Sequence, residues 1–430
     1  GIAGVLLFFF LIMFRMPIAY AMLLVGFAGF SILVSPSAAF RMLSVEIYTT
    51  FSSYSLSVIP LFVWMGFLAY YSGIGSKLYV FCYKLLGPLP GGLCVATQAT
   101  CALFGAVCGS NTATAATIGA IALPEMEKYS YNDSLSTASV AAGGALGVLI
   151  PPSVIFIVYG IAAEQSIGKL FLAGILPGLL LMFLYMLAIY VQVSRNPLLG
   201  PPGPKETWKA RLYELKGGLL EVFVVFTISL SGLFLGWFTP SEAGAIGAAS
   251  VLVISLLEKQ LTWENFKKSL SETTRTTAMI MFLVSGAIIF GRFMAVSRVP
   301  FELANWARSL PYPPLVIVGI ILVIYFILGC FIDALALVLL TTPIFFPIMV
   351  DILGYDPIWF GVITVMAVAM GVITPPVGMN VYIIKGVAKD IPLETIFKGI
   401  WPFLYALVAA LIILTIFPQI ATFLPELLSK

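Results

Sequence analysis

LGVLIPPS at 146–153 and MGVITPPV at 370–377 are two copies of one pattern, and together they decide the architecture. In each, an apolar run ends on a Pro-Pro pair. Two prolines remove two backbone donors and disfavour helix at the residue before them. A break of this kind inside an apolar segment leaves free carbonyl oxygens, and these are tolerated at membrane depth only where protein or a cavity surrounds them.

Working outward, other landmarks recur at nearly the same offset. Pro17 matches Pro240 and Pro124 matches Pro347, each 223 residues apart; Gly147 matches Gly371 at 224, and Pro177 matches Pro402 at 225. Four pairs in order indicate duplication, the mark of secondary transporters. Each copy reads as three spanning helices, at 2–14, 17–34 and 47–74, then at 217–236, 240–257 and 272–296. An amphipathic connector (75–91; 297–312) and a hairpin of small residues (93–126; 313–350) follow. A Pro-Pro-interrupted segment (136–162; 358–388) and a closing helix (168–193; 395–418) complete the copy. The reading is an all-α polytopic membrane protein, with a first repeat at 1–193, a linker at 194–216 bearing a surface helix at 205–216, and a second repeat at 217–430.

Composition agrees. The chain of 430 residues is 61% hydrophobic and 10% charged, where a soluble domain carries roughly 25% charge. Mean hydropathy is +1.08. The net charge of +3 sits in short loops and gives no reason to invoke nucleic acid. Gly75-Ser76-Lys77 and Gly168-Lys169 lack the rest of a phosphate-binding loop. Histidine is absent, which removes the commonest proton shuttle and metal ligand. No nucleophile–base or paired-carboxylate constellation points to an enzyme. Cys94, Cys101 and Cys108, spaced by seven, read as small packing residues rather than metal ligands or disulfides. Ile2 to Phe14 has no basic residue before it and makes a poor signal peptide. It is also short for a span, so a few further residues are expected before Gly1.

The segment 93–108 gives ~24 Å of helix against a hydrocarbon core of ~30 Å. It then meets CGSNTATAA, which suits a re-entrant hairpin better than two ordinary helices with a glycine kink. If neither hairpin crosses, each copy crosses five times and the second is inverted. With both termini outside, the outer face keeps only Arg41, Lys169, Arg292, Arg298, Arg308 and Lys430 of the 22 Lys and Arg. The positive-inside rule favours that topology.

Four breaks are candidates for chemistry: the tips at 109–112 and 329–333, and the interruptions at 147–153 and 371–380. Their carbonyl oxygens are hard ligands suited to Na⁺, and half-helix N-termini suit an anion. Ser110, Asn111, Thr112, Ser153 and Asn380 add neutral polar groups and, with Pro152 and Pro376 at the breaks themselves, are the expected substrate-binding residues; Thr374 adds a further hydroxyl. Packing kinks are the alternative for any one break taken alone. Asp333 is the carboxylate at a tip, a functional hypothesis by default; a helix cap explains it equally well. Glu242 reads as a cap.

GPLPGGL (87–93), CGSNTATAATIG (108–119), LGVLIPPS, GWFTPSEAGAIGA (236–248), FIDALALVLLTTPIFFPI (331–348) and GVITPPVGMNVYIIKG (371–386) resemble the large membrane subunit of tripartite ATP-independent periplasmic (TRAP) transporters. The resemblance runs nearly end to end. It implies a bacterial or archaeal inner-membrane symporter importing organic anions, usually carboxylates, with Na⁺ as coupling ion and no other cofactor. It implies a small four-helix membrane subunit and a soluble periplasmic substrate-binding protein as partners. It implies an elevator, with 93–162 and 313–388 moving against the remainder as scaffold. One Na⁺ site would involve Ser110, Asn111, Gly147 and Ile150, the other Gly329, Asp333, Gly371 and Thr374. The FTPSEAGAIGA stretch departs from the family pattern, which has Thr after the Pro and Ala in place of Gly244; only local packing is at stake. A stand-alone divalent-anion/Na⁺ symporter shares this plan and is the alternative. A channel would need no repeat-related hairpins.

Overall fold

In lipid, every backbone polar group must find its partner within the chain, and helices are the local solution. The computed structural model describes residues 1–203, 219–309 and 311–428, and every regular element among them is helical. The surface helix expected at 205–216 lies outside the described residues.

The first copy opens with α1 (Ile2–Met13), α2 (Ile18–Leu33), α3 (Pro36–Ser52) and α4 (Val58–Tyr71), followed by the connector α5 (Ile74–Leu86). Hairpin arms α6 (Gly92–Cys108) and α7 (Asn111–Lys128) come next. Helices α8 (Asp133–Leu149) and α9 (Val154–Ala162) are bent by 43° at the first Pro-Pro. Helix α10 (Ile167–Arg195) closes the copy. The second copy runs α11 (Leu220–Phe234), α12 (Pro240–Leu257), α13 (Trp263–Val296) and connector α14 (Val299–Ser309). Its hairpin arms are α15 (Pro314–Gly329) and α16 (Ala334–Ile352). Then follow α17 (Pro357–Gly371), α18 (Met379–Val387), α19 (Leu393–Ile416) and α20 (Gln419–Leu428). Among the described residues, 6 helices are long and apolar enough to cross a membrane, or up to 7 with α8–α9 as one span.

One expected element needs correction. The single helix at 47–74 is two: α3, then a 3₁₀ turn at Tyr54–Ser57 leading into α4. The cause is local, since Ser53 is extended (φ −70°, ψ 118°) within a serine-rich run whose hydroxyls compete for backbone groups. The equivalent α13 is continuous over 34 residues and starts earlier than expected, because the Thr262 hydroxyl caps it by accepting from the Asn265 N–H at 3.2 Å.

Two groups of helices result. In the first, α2 packs on α13 and α4 on α12. Small residues set the approach: a Cβ on Gly26 would lie 2.9 Å from the Ile289 carbonyl oxygen, and one on Gly286 2.6 Å from that of Ala19. Gly244 faces Leu61 and Phe62, where an added Cβ would meet the Leu61 Cβ at 3.0 Å. Connector α5 is tied to this group by Lys77, whose ammonium meets Glu221 at 2.6 Å and also Glu258. In the second group the hairpins and broken helices interlock across the copies. Helix α9 lies on α16, and α18 on α7 and α8. The closing helices join this group, α10 packing on α6, α17 and α19, and α19 on α8 and α17.

Candidate functional site

A cavity of about 840 Å³ lies where the groups meet, and both hairpin tips reach it. The first tip contributes Ser110, Asn111, Thr112 and Ala113, and the second Asp333, Ala334, Leu335 and Ala336. Val148, Val154 and Ile155 come from the first break; Met379 and Ile383 come from α18. The opposite wall is mostly apolar, from Pro17 and Ile18 through Val63, Gly66 and Phe67. It runs on to Tyr71, the last residue of α4, and to Glu272 in the third turn of α13.

The first tip is shaped by Gly109, whose φ of +65° lets the chain reverse and whose Cα lies against the Pro152 carbonyl. The Val154 N–H donates to the Gly109 carbonyl at 3.4 Å, joining tip to break. Ser110 caps α7, its Oγ accepting from the Ala113 N–H at 3.4 Å and lying 3.1 Å from the Thr112 Oγ1. Gly147 faces the tip: a Cβ there would lie 2.5 Å from Thr114 Oγ1 and 2.8 Å from the Ser110 carbonyl oxygen. The Thr114 hydroxyl is buried and has no hydrogen-bond partner among the described residues. Gly147, the Ser110 carbonyl and the Thr114 hydroxyl are therefore in close contact, with no room for a side chain at 147. Thr114 was missing from the sequence-based candidates, although its position four residues after Ser110 on the same face was the available signal. Ile150 is extended at the break (φ −83°, ψ 125°), its side chain seated on Gly178. Pro152 and Ser153 are buried behind the tip and off the cavity wall, the Ser153 Oγ accepting from the Phe156 N–H at 3.4 Å.

At the second tip, Gly329 and Gly371 touch backbone to backbone, so a side chain on Gly371 would collide with the Gly329 peptide. The Asp333 Oδ1 accepts from the Leu335 N–H at 3.0 Å and caps α16 while facing the cavity, so both of its expected roles are geometrically open. The Thr374 hydroxyl donates to the Met370 carbonyl at 2.6 Å, leaving only its lone pairs for a ligand. Pro376 is exposed and off the cavity wall. Asn380 is fully buried; its Nδ2 donates to the Ala141 carbonyl at 3.0 Å, and its Oδ1 is unpartnered among the described residues. It therefore binds the second break to the first copy rather than facing the cavity. Both Pro-Pro bonds, Pro151-Pro152 and Pro375-Pro376, are cis.

The family model described as the DctM component of tripartite ATP-independent periplasmic transporters matches residues 5–420. A C4-dicarboxylate TRAP transporter large permease protein of Pseudomonas aeruginosa is 34% identical over 92% of this chain and 91% of its own length. A sialic acid TRAP transporter large permease protein of Vibrio cholerae is 32% identical over 96% of this chain and 95% of its own. Among solved structures, the Alcanivorax borkumensis YdaH transporter superposes with a TM-score of 0.65 at 14% identity, covering 89% of each chain. That likeness is one of fold.

Proposed function

The chain belongs to the DctM-component family of tripartite ATP-independent periplasmic transporters, and from that premise we propose that it imports a small organic anion, a carboxylate, by coupling to Na⁺. It is a multi-pass membrane transporter rather than an enzyme. The observation that carries the proposal is the convergence of two hairpin tips, each backed by a Pro-Pro break, on one cavity. Na⁺ is held at the first site by the Ser110 carbonyl, Thr114 and backbone oxygens around Gly147, with Asn111 and Ile150 beside them. Gly329, Asp333, Gly371 and Thr374 form the second. The anion sits among Ser110, Asn111 and Thr112, met by the N-terminus of α7.

The two copies are inverted repeats, and α2 on α13 mirrors α12 on α4 in support. The moving body of the elevator is the interlocked second group. It takes in 93–162 and 313–388, and the packing of α10 and α19 on these helices supports counting the closing helices with them. The scaffold is α1–α4 with α11–α13, and α5 and α14 are the arms. The cavity runs toward the end bearing Lys259, Lys267 and Lys268, the cytoplasmic side by charge, so this is an inward-facing arrangement. Both termini are periplasmic, the membrane is the bacterial inner membrane, and substrate arrives on a soluble binding protein with a small membrane subunit attached.

The test is uptake into proteoliposomes under an imposed Na⁺ gradient. The chain with its small subunit and loaded binding protein accumulates substrate, and the chain alone does not. Uptake driven by a proton gradient without Na⁺ overturns the coupling. Robust uptake by the chain alone makes it a stand-alone divalent-anion/Na⁺ symporter.

A further inference from the structure

A second cavity, of about 570 Å³, lies far from the hairpin tips, between connector α14 and the far end of hairpin arm α16. Arg298, Asn305 and Arg308 line one side, and Pro343, Pro347 and Asp351 the other. Arg298 stands at the turn from α13 into α14 with a left-handed φ of +58°, its guanidinium carbon 5.8 Å from the centre of the Phe301 ring. The two arginines therefore bracket α14, one at each end. Among the described residues, no carboxylate lies within ion-pair distance of either. Two arginines against the one aspartate leave the lining with a net charge of +1.

Arginine's planar fork matches the paired oxygens of a phosphate, and less hydration is lost in binding it than with lysine. The surroundings then separate a lipid from a soluble anion. Helix α14 buries Ala304 against the protein, yet Phe301 and Trp306 are more than half exposed. Exposed aromatics beside basic groups belong at headgroup level, where one end of the ring is apolar and the other wet. We propose that this cavity binds the headgroup of an anionic phospholipid, its phosphate held by Arg298 and Arg308 and its acyl chains running past Phe301. The site joins an arm of the scaffold to a hairpin of the moving body, so its occupant contacts both. It is independent of the sodium reading above.

The measurement is native mass spectrometry of the detergent-purified chain titrated with phosphatidylglycerol or phosphatidylcholine. Wild type holds one phosphatidylglycerol about 30-fold more tightly than R298Q/R308Q, from roughly one surface-charge increment per arginine. R41Q, which removes an exposed arginine on α3, binds as wild type. Equal losses in R41Q and the double variant, or phosphatidylcholine bound as tightly as phosphatidylglycerol, overturn the proposal. So does displacement of the lipid by millimolar inorganic phosphate, which makes the site one for soluble anions. If the double variant keeps its lipid but loses the soluble binding protein, the arginines serve protein docking instead. Should R298Q/R308Q fail to fold, R308Q alone gives the same reading, since Arg308 is exposed and expected to carry half the logarithmic loss.

Discussion

Replacing Thr114 by valine separates a structural from an ion-binding role, because the two predict opposite effects. The hydroxyl is buried without a partner among the described residues. A buried polar group left unpaired costs about 1–3 kcal/mol, so a methyl of similar shape should stabilise the ion-free protein by about 1 kcal/mol. If the hydroxyl is a Na⁺ ligand beside the Ser110 carbonyl and Gly147, losing it weakens binding by about tenfold. Linkage then sets the readout. At Na⁺ equal to 100 times the wild-type dissociation constant, the ion contributes ~2.7 kcal/mol of stability; after a tenfold loss it contributes ~1.4 kcal/mol. Thermal unfolding in NaCl and in choline chloride measures both. T114V should melt higher than wild type in choline, and its Na⁺ increment should be smaller by about 1.3 kcal/mol, the loss at this one site. Equal Na⁺ increments in the two proteins, or a lower melting point in choline, refute the reasoning.

Four further outcomes follow from the same geometry. D333N retains an oxygen to accept from the Leu335 N–H and should melt as wild type, while D333A loses a cap of about 1 kcal/mol. Both should weaken the Na⁺ dependence of uptake; an unchanged curve for D333N reduces the carboxylate to a cap. G371A drives a Cβ into the Gly329 backbone and should cost about 1–3 kcal/mol or more, against under about 1 for G244A. Similar melting points for the two would disprove the glycine contact. K77Q strands the nearly buried Glu221 and should destabilise by about 1–3 kcal/mol, while K128Q, on an exposed helical pair, should leave stability unchanged. Finally, cysteines placed at Lys84 in α5 and at Arg308 in α14, 224 residues apart and equivalent in the two copies, should label from opposite faces of the membrane in a cysteine-free background. Labelling from one face contradicts inversion.

What could be read in the sequence follows from how each feature is encoded. The Pro-Pro breaks and the reversal at Gly109 depend on residue type alone, since missing donors and positive φ leave few alternatives. Asp333 and Ser110 were legible as tip residues for a similar reason: short polar side chains in an apolar run must cap something. The division of α3 from α4 was missed because the serine-rich stretch 51–57 is apolar enough on average to continue a helix. Thr114 was missed because its hydroxyl resembles any helical threonine until Gly147 of another helix is seen against it. Nor does anything in the closing helices mark their neighbours. Their apolar faces suit lipid or protein equally, and only the packing of α19 on α8 decides.

The interlocking of the two copies bears on how the chain is made. The Tyr159 hydroxyl of α9 donates to the Pro357 carbonyl at 2.7 Å, across 198 residues, and Asn380 reaches Ala141 across 239. At roughly 5–20 residues per second, the ribosome delivers each partner about 10–50 s after the residue it meets. Until then the nascent half holds a broken helix in the bilayer with no arm to cover it. The early half thus waits for these contacts while the second is being made. A chain that stopped after α10 would have neither contact.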